Sequence, residues 1–258
     1  MSDGVVTEIM RDQVHRLAGR GMREDGRGFS EMRKVVIEKG MLEMAEGSAR
    51  VKLGETDVLV GIKVEVGTPF PDKPDEGTLM TGAELRPIAH AEFESGPPSE
   101  DAVEIARVED RGIRESQMID MKRLCVTPGE KVYMVFVDIQ PLDHYGNLFD
   151  AANIGAVIAL GEAKIPARRL GLGEDFPMPV RSKPVSATFV KVGKHIMLDP
   201  TLREEMVADA RLTVTTDENG DIRAMQKGLS GAFTFGEVRD CVLLARQKAA
   251  EVRAQVLA

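Results

Sequence analysis

The sequence has 258 residues, 43% hydrophobic and 29% charged, enough for one large domain or two smaller ones. It has no Trp, two Tyr and nine Phe, so aliphatic side chains must supply most of the core. A net charge of −8 argues against a protein that grips nucleic acid over its whole surface, but leaves room for a local basic track.

No stretch approaches the roughly 20 apolar residues that a membrane-spanning helix needs. The opening MSDGVVTEIMRDQ has no basic leader before an apolar segment, so no secretion signal is expected and a cytoplasmic location is. Cys125 and Cys241 lie far apart in apolar contexts and read as buried free thiols of a reducing compartment. With four His residues they make no metal-spaced cluster.

Along the chain, Val6, Ile9, Met10, Val14 and Leu17 have helical spacing and predict an amphipathic helix over 5–19. RGMREDGRGFSEMR follows as an ordered, charged loop. Short β-like runs punctuated by Gly40, Gly47, Gly54 and Gly67 predict a meander over 33–66, with hairpin turns near 39–40 and 54–55. The Pro-rich, acidic segment 67–100 is too long for a simple connection and reads as a surface excursion or an interface arm. A helix is predicted over 101–123, a strand in EKVYMVFVDIQPL and a buried Ala-rich helix over 150–164. LGLGEDFPMPVRSKP reads as a linker. Strands follow near 184–192, 195–198, 209–216 and 221–227, then a helix over 235–256 that opens on a Thr234/Glu237 capping box. The class is α/β with mixed or antiparallel sheets. There is neither a Rossmann glycine fingerprint nor a Walker-A loop.

Three clusters can carry chemistry. Arg107, Arg111 and Arg114, at i, i+4 and i+7, share a helix face and can meet successive phosphates. Pairs Glu104–Arg107, Asp110–Arg114 and Arg111–Glu115 would instead leave that face neutral. Asp143, His144 and Asp150 flank a turn and suit acid–base work, unless Asn147 or Asp150 simply caps the next helix. Asp199 before Pro200 reads as a helix N-cap; its alternative role is a metal-binding or proton-transfer pair with Glu205.

Taken in order, REDGRGFSEMR, GSARVKLGETDVLVGIKVEVG, RVEDRGIRES, YGNLFDAANIGAVIAL and LDPTLREE carry a resemblance. The chain resembles the RNase PH family, and within it the non-catalytic RNase PH-like subunit of the archaeal exosome core. The resemblance implies two α/β halves, here 1–180 with the N-terminal helix and 181–258. It also implies a hexameric ring of three heterodimers with a catalytic RNase PH-like partner, topped by RNA-binding cap proteins. In active members phosphate attacks the last phosphodiester at the RNA 3′ end and releases a nucleoside diphosphate. This subunit would need no cofactor of its own; phosphate, with Mg²⁺ as a candidate metal, would serve the partner.

Active members hold the phosphate on a Gly-Ser/Thr-Arg turn. Here the turn reads Gly146-Asn147-Leu148-Phe149-Asp150, with Phe149 in the arginine's place and Asp150 adding a negative charge. The family's Arg-Arg-Ser run is Arg114-Glu115-Ser116, and of two acidic residues Asp199 is retained while the second is Glu205. The resemblance therefore implies a structural turn, with Arg111 and Arg114 as RNA-backbone contacts and Arg107 as a weaker one. Two alternatives stay open: an active phosphorolytic 3′–5′ exoribonuclease working through Asp199 and Glu205, and an architectural subunit that touches no RNA.

Overall fold

The computed structural model describes the backbone of residues 2–256 and the side chains of residues 8–256. The elements run α1 (Ser2–Ala18), β1 (Val35–Lys39), β2 (Gly47–Leu53), β3 (Thr56–Gly67), β4 (Thr78–Ala83), α2 (Glu100–Glu115), β5 (Cys125–Thr127) and β6 (Lys131–Asp143). They continue α3 (Leu148–Glu162), β7 (Lys164–Ile165), β8 (Phe176–Pro177), β9 (Val185–Val192), β10 (His195–Leu198), α4 (Leu202–Val207), β11 (Ala210–Thr216), β12 (Ile222–Gly228) and α5 (Phe235–Val256).

The first sheet has the order β1-β2-β3-β6-β4, with β5 on β6, and every pair is antiparallel except β4 with β6. The second, β10-β9-β11-β12, is wholly antiparallel. The mixed α/β class therefore holds. Helix α3 lies between the sheets, touching β2 and β3 on one side and β9 on the other, and is buried from Leu148 to Leu160. A helix apolar all round belongs in such a place. Its small residues allow close approach: a Cβ on Gly155 would stand 2.7 Å from Val60.

Strand β9 is buried on both faces, and its period of two separates two environments. Ala187 and Phe189 join Leu212, Val214, Cys241 and Ala245 in an apolar core under α5. Ser186 and Thr188 turn to α3, where Asn153 Oδ1 accepts from Ser186 N at 2.9 Å and Asp150 Oδ1 accepts from Thr188 Oγ1 at 2.7 Å. Thus α3 meets the second sheet through a polar layer and the first through an apolar one.

Several expectations need correction. The run 41–46 is a turn before β2, stitched by Gly40 N to Ser48 O and Leu42 N to Ser48 Oγ, so the first hairpin is wide; the second is a two-residue turn pairing Leu53 with Thr56. The 67–100 excursion contains β4, which pairs in parallel with β6. The helix expected to reach 123 stops at Ser116, because Gln117 adopts a left-handed φ of 52° and Met118 N closes back onto Ile113 O. In α1, Val14 is buried while Ile9 is exposed; the side chain of Val6 lies outside the described residues. Cys241 is buried and its thiol is pushed up to about 12 by burial, but Cys125 is only half-buried on the short β5. The Thr234/Glu237 capping box is present, with both reciprocal bonds made. Among the described residues, no helix is long and apolar enough to cross a membrane.

Candidate functional site

The turn from β6 into α3 is held by two residues with positive φ. Gly146 has φ +93°, and a Cβ there would lie 2.4 Å from the backbone of Thr201 and Leu202. Asn147, at φ 56°, is the N-cap of α3, its Oδ1 accepting from Asp150 N at 3.3 Å. Asn147 also gathers three carboxyls. Its Nδ2 donates to Asp150 Oδ2 at 2.8 Å and to Asp199 Oδ1 at 2.7 Å, and its backbone N donates to Glu205 Oε1 at 2.9 Å.

Asp199 is not a helix cap. It sits at φ 50°, and the N-cap of α4 is Thr201, in a capping box with Glu204. The Asp199 carboxylate is drawn away by arginines of the charged loop. Arg27 Nη1 donates to Oδ2 at 2.8 Å; Arg33 donates to Oδ2 from N at 2.7 Å and from Nε at 3.0 Å, and to Oδ1 from Nη2 at 2.7 Å. Arg23 adds a buried pair with Glu204 at 2.6 Å and a bond to Leu198 O. Burial alone would raise Asp199, but the Arg33 hydrogen bonds and charge overcome it and hold the carboxyl below its ordinary value. With guanidinium donors on both oxygens, Asp199 offers no fit for Mg²⁺, which needs hard oxygen ligands free of such competitors. Among the described residues, no group of three or more His, Cys, Asp or Glu is placed to hold a metal ion.

Burial raises other acids nearby. Burial pushes Asp150 up to about 7, against hydrogen bonds from Asn147 and Thr188. Burial also pushes Glu205 up to about 7 and, on α2, Glu109 up to about 8. Glu109 meets Asn153 Nδ2 at 3.0 Å. The proposed Asp143–His144–Asp150 cluster does not form: Asp143 is exposed, Asp150 is buried in the polar layer, and His144 stacks on Phe93 and edges His90. Burial, with the His90 and Arg33 charges, lowers His144 to about 4, so it is neutral near pH 7.

Phe149 is buried, and the guanidinium carbon of Arg211 lies 4.3 Å from its ring centroid. Arg211 comes from β11 and pairs with Glu104 of α2 at 2.6 Å. Phe149, Arg211, Glu104, Glu205 and His144 line one cavity of about 240 Å³. Arg211 was not singled out from the sequence; the one signal is a lone charge in the otherwise apolar or hydroxyl run ARLTVTT.

The arginine row divides. Arg107 and Arg111 are exposed and line one groove with Glu104, Val103 and Gln226. Arg114 faces a different groove, held by Asp110 at 2.5 Å and by the carbonyl of Leu79. Of the pairs expected to neutralise the row, Asp110–Arg114 forms. Glu104 goes to Arg211 instead of Arg107, and among the described residues no carboxylate pairs with Arg107 or Arg111.

Domain 1 of the 3′ exoribonuclease family, RNase PH, matches residues 31–166, and domain 2 matches residues 183–248. The chain belongs to the RNase PH family. This RNase PH-family chain is 50% identical over 253 residues to the exosome complex component Rrp42 of Methanocella arvoryzae, covering 98% of this chain and 97% of that one. It superposes with a TM-score of 0.95 and 45% identity on a chain of the Archaeoglobus fulgidus exosome with RNA bound to the active site, covering 97% of this chain and 99% of the other. On a chain of an archaeal exosome core the TM-score is 0.92 at 42% identity, over 100% of both.

Proposed function

We propose that this chain is the non-catalytic RNase PH-like subunit of an archaeal exosome, a 3′–5′ phosphorolytic exoribonuclease. It alternates with a catalytic RNase PH-like partner in a hexameric ring of three heterodimers, shapes that partner's active site and holds single-stranded RNA. The ring works in the cytoplasm beneath RNA-binding cap proteins. Phosphate, and Mg²⁺ where a metal is used, act in the partner. The two halves divide near 180, a boundary supported by family matches that fall on either side of it.

One observation carries the non-catalytic reading: the turn that would hold phosphate is already filled. Asn147 N donates to the chain's own Glu205. Phe149 lies under Arg211, and the carboxyl of Asp150 faces Thr188. An entering phosphate dianion would have to displace Glu205 and would find no free guanidinium on this turn.

For RNA, the favoured pair becomes Arg107 and Arg111. They stand one turn apart on one groove and, among the described residues, have no carboxylate partner, whereas Arg114 is engaged elsewhere. Such contacts read the backbone and carry no base sequence.

The test is assembly. Mixed with the catalytic RNase PH-like subunit of an archaeal exosome, the chain is expected to give one stoichiometric ring by light scattering. Two species that stay separate would contradict the proposal.

A further inference from the structure

The Arg211–Glu104 pair does more than fill the old phosphate turn. Glu104 stands three residues before Arg107 and seven before Arg111 on α2, and all three line the same groove. At that spacing a glutamate is the natural ion-pair partner of Arg107. The structure turns it the other way, onto Arg211 at 2.6 Å, with Gln226 Nε2 donating to its second oxygen at 3.4 Å.

The slot that holds Arg211 is closely fitted. Its guanidinium rests on the Phe149 ring, and its cross-strand neighbour is Gly228. A Cβ on Gly228 would lie 2.7 Å from Arg211 Nη2, so a larger residue there would push the guanidinium out of place. Arg211 Nε is buried and has no hydrogen-bond partner among the described residues. The residue is therefore not placed to satisfy all its own donors; what its position achieves is the stack on Phe149 and the capture of Glu104.

We infer that Arg211 is a positioning residue for RNA binding: it draws Glu104 away from Arg107 and Arg111 and so keeps both guanidiniums open to RNA phosphates. Arg211 itself touches no RNA. The inference rests on the proposed RNA-holding role of Arg107 and Arg111. Without Arg211, Glu104 swings one helical turn along α2 to pair with Arg107, and RNA must compete with an intramolecular carboxylate.

The experiment is a mutant cycle in the assembled ring, read by fluorescence anisotropy with a labelled single-stranded RNA over a salt series. Arg211→Gln is expected to weaken affinity by about tenfold and to lower the salt slope by up to about 0.7, the share of one neutralised phosphate on a single strand. Glu104→Gln added to Arg211→Gln is expected to restore both. Arg211→Lys, which keeps the pair with Glu104, is expected to stay within about threefold of the parent. Thermal unfolding of each ring separates lost binding from lost folding. Weak binding that Glu104→Gln does not rescue would overturn the inference, since a direct RNA contact or a general structural defect behaves that way. So would full affinity in Arg211→Gln. If Arg107→Gln with Arg111→Gln leaves affinity unchanged, the underlying RNA-binding reading fails, and the inference falls with it.

Discussion

Asp199 and Arg33, 166 residues apart, share three hydrogen bonds, two to Oδ2 at 2.7 and 3.0 Å and one to Oδ1 at 2.7 Å. This contact ties the charged N-terminal loop to the start of α4 in the second half. Arg33 Nη2 also donates to Gly146 O and Pro200 O, so the α3 turn hangs on the same guanidinium. Asp199→Ala would leave the largely buried Arg27 and Arg33 without their common carboxylate. The expected loss is about 3–5 kcal/mol of folding stability, measured by chemical denaturation. An Asp199→Ala chain that is fully stable but loses activity would instead favour a reacting carboxylate.

The raised acids predict a pH dependence. Glu109, Asp150 and Glu205 are raised to about 8, about 7 and about 7. Their folded forms hold protons that the unfolded chain releases near pH 4. Their contribution is therefore complete below about pH 4 and is lost as pH rises through about 7–8. Asp199 acts oppositely, because its lowered pKa gives stability present above about pH 4 and lost as pH falls through its folded value. Glu109→Gln keeps a neutral side chain beside Asn153. It is expected to match the parent near pH 4 and to exceed it increasingly as pH rises, by more than about 1 kcal/mol near pH 9. Equal denaturation midpoints for the two proteins at pH 9 would contradict a buried, protonated Glu109.

Gly146 tests the turn geometry. Gly146→Ala puts a Cβ at φ +93° and 2.4 Å from the Thr201 and Leu202 backbone. A loss of about 1–3 kcal/mol from strain alone is expected, with the clash adding to it. An unchanged melting temperature would mean that the turn and α4 do not pack as described.

The arginines separate by groove. In the assembled ring, Arg107→Glu with Arg111→Glu should weaken RNA binding and lower the salt slope by about 0.7 for each phosphate no longer neutralised. Arg114→Glu should leave both nearly unchanged, because Arg114 is already engaged by Asp110 and Leu79 O. The reverse ranking would return Arg114 to the RNA track.

Elements with a strong local pattern were legible in the sequence. The Ala-rich run became α3, the Gly54 turn became a hairpin, and Thr234/Glu237 became a capping box. What was missed depends on distant partners. Strand β4 looks like loop because Pro and Gly surround it, and its parallel pairing with β6 spans a helix. Asp199-Pro200 has the form of a helix start, yet Arg33 claims its side chain and Thr201 caps instead. The family motifs brought the 143–150 turn and the arginine row into view, but no spacing rule foretold that Arg211, from another sheet, would take Glu104 from Arg107.

The central claim, that this chain holds RNA for a partner's chemistry, is met most directly by phosphorolysis of a labelled single-stranded RNA. The chain alone, a catalytic RNase PH-like subunit alone and the two mixed are compared with and without phosphate. The expected result is no phosphate-dependent shortening by the chain alone and the highest rate in the mixture. Phosphate-dependent turnover by the purified chain alone would contradict the claim and mean that phosphate displaces Glu205 from the Asn147 amide.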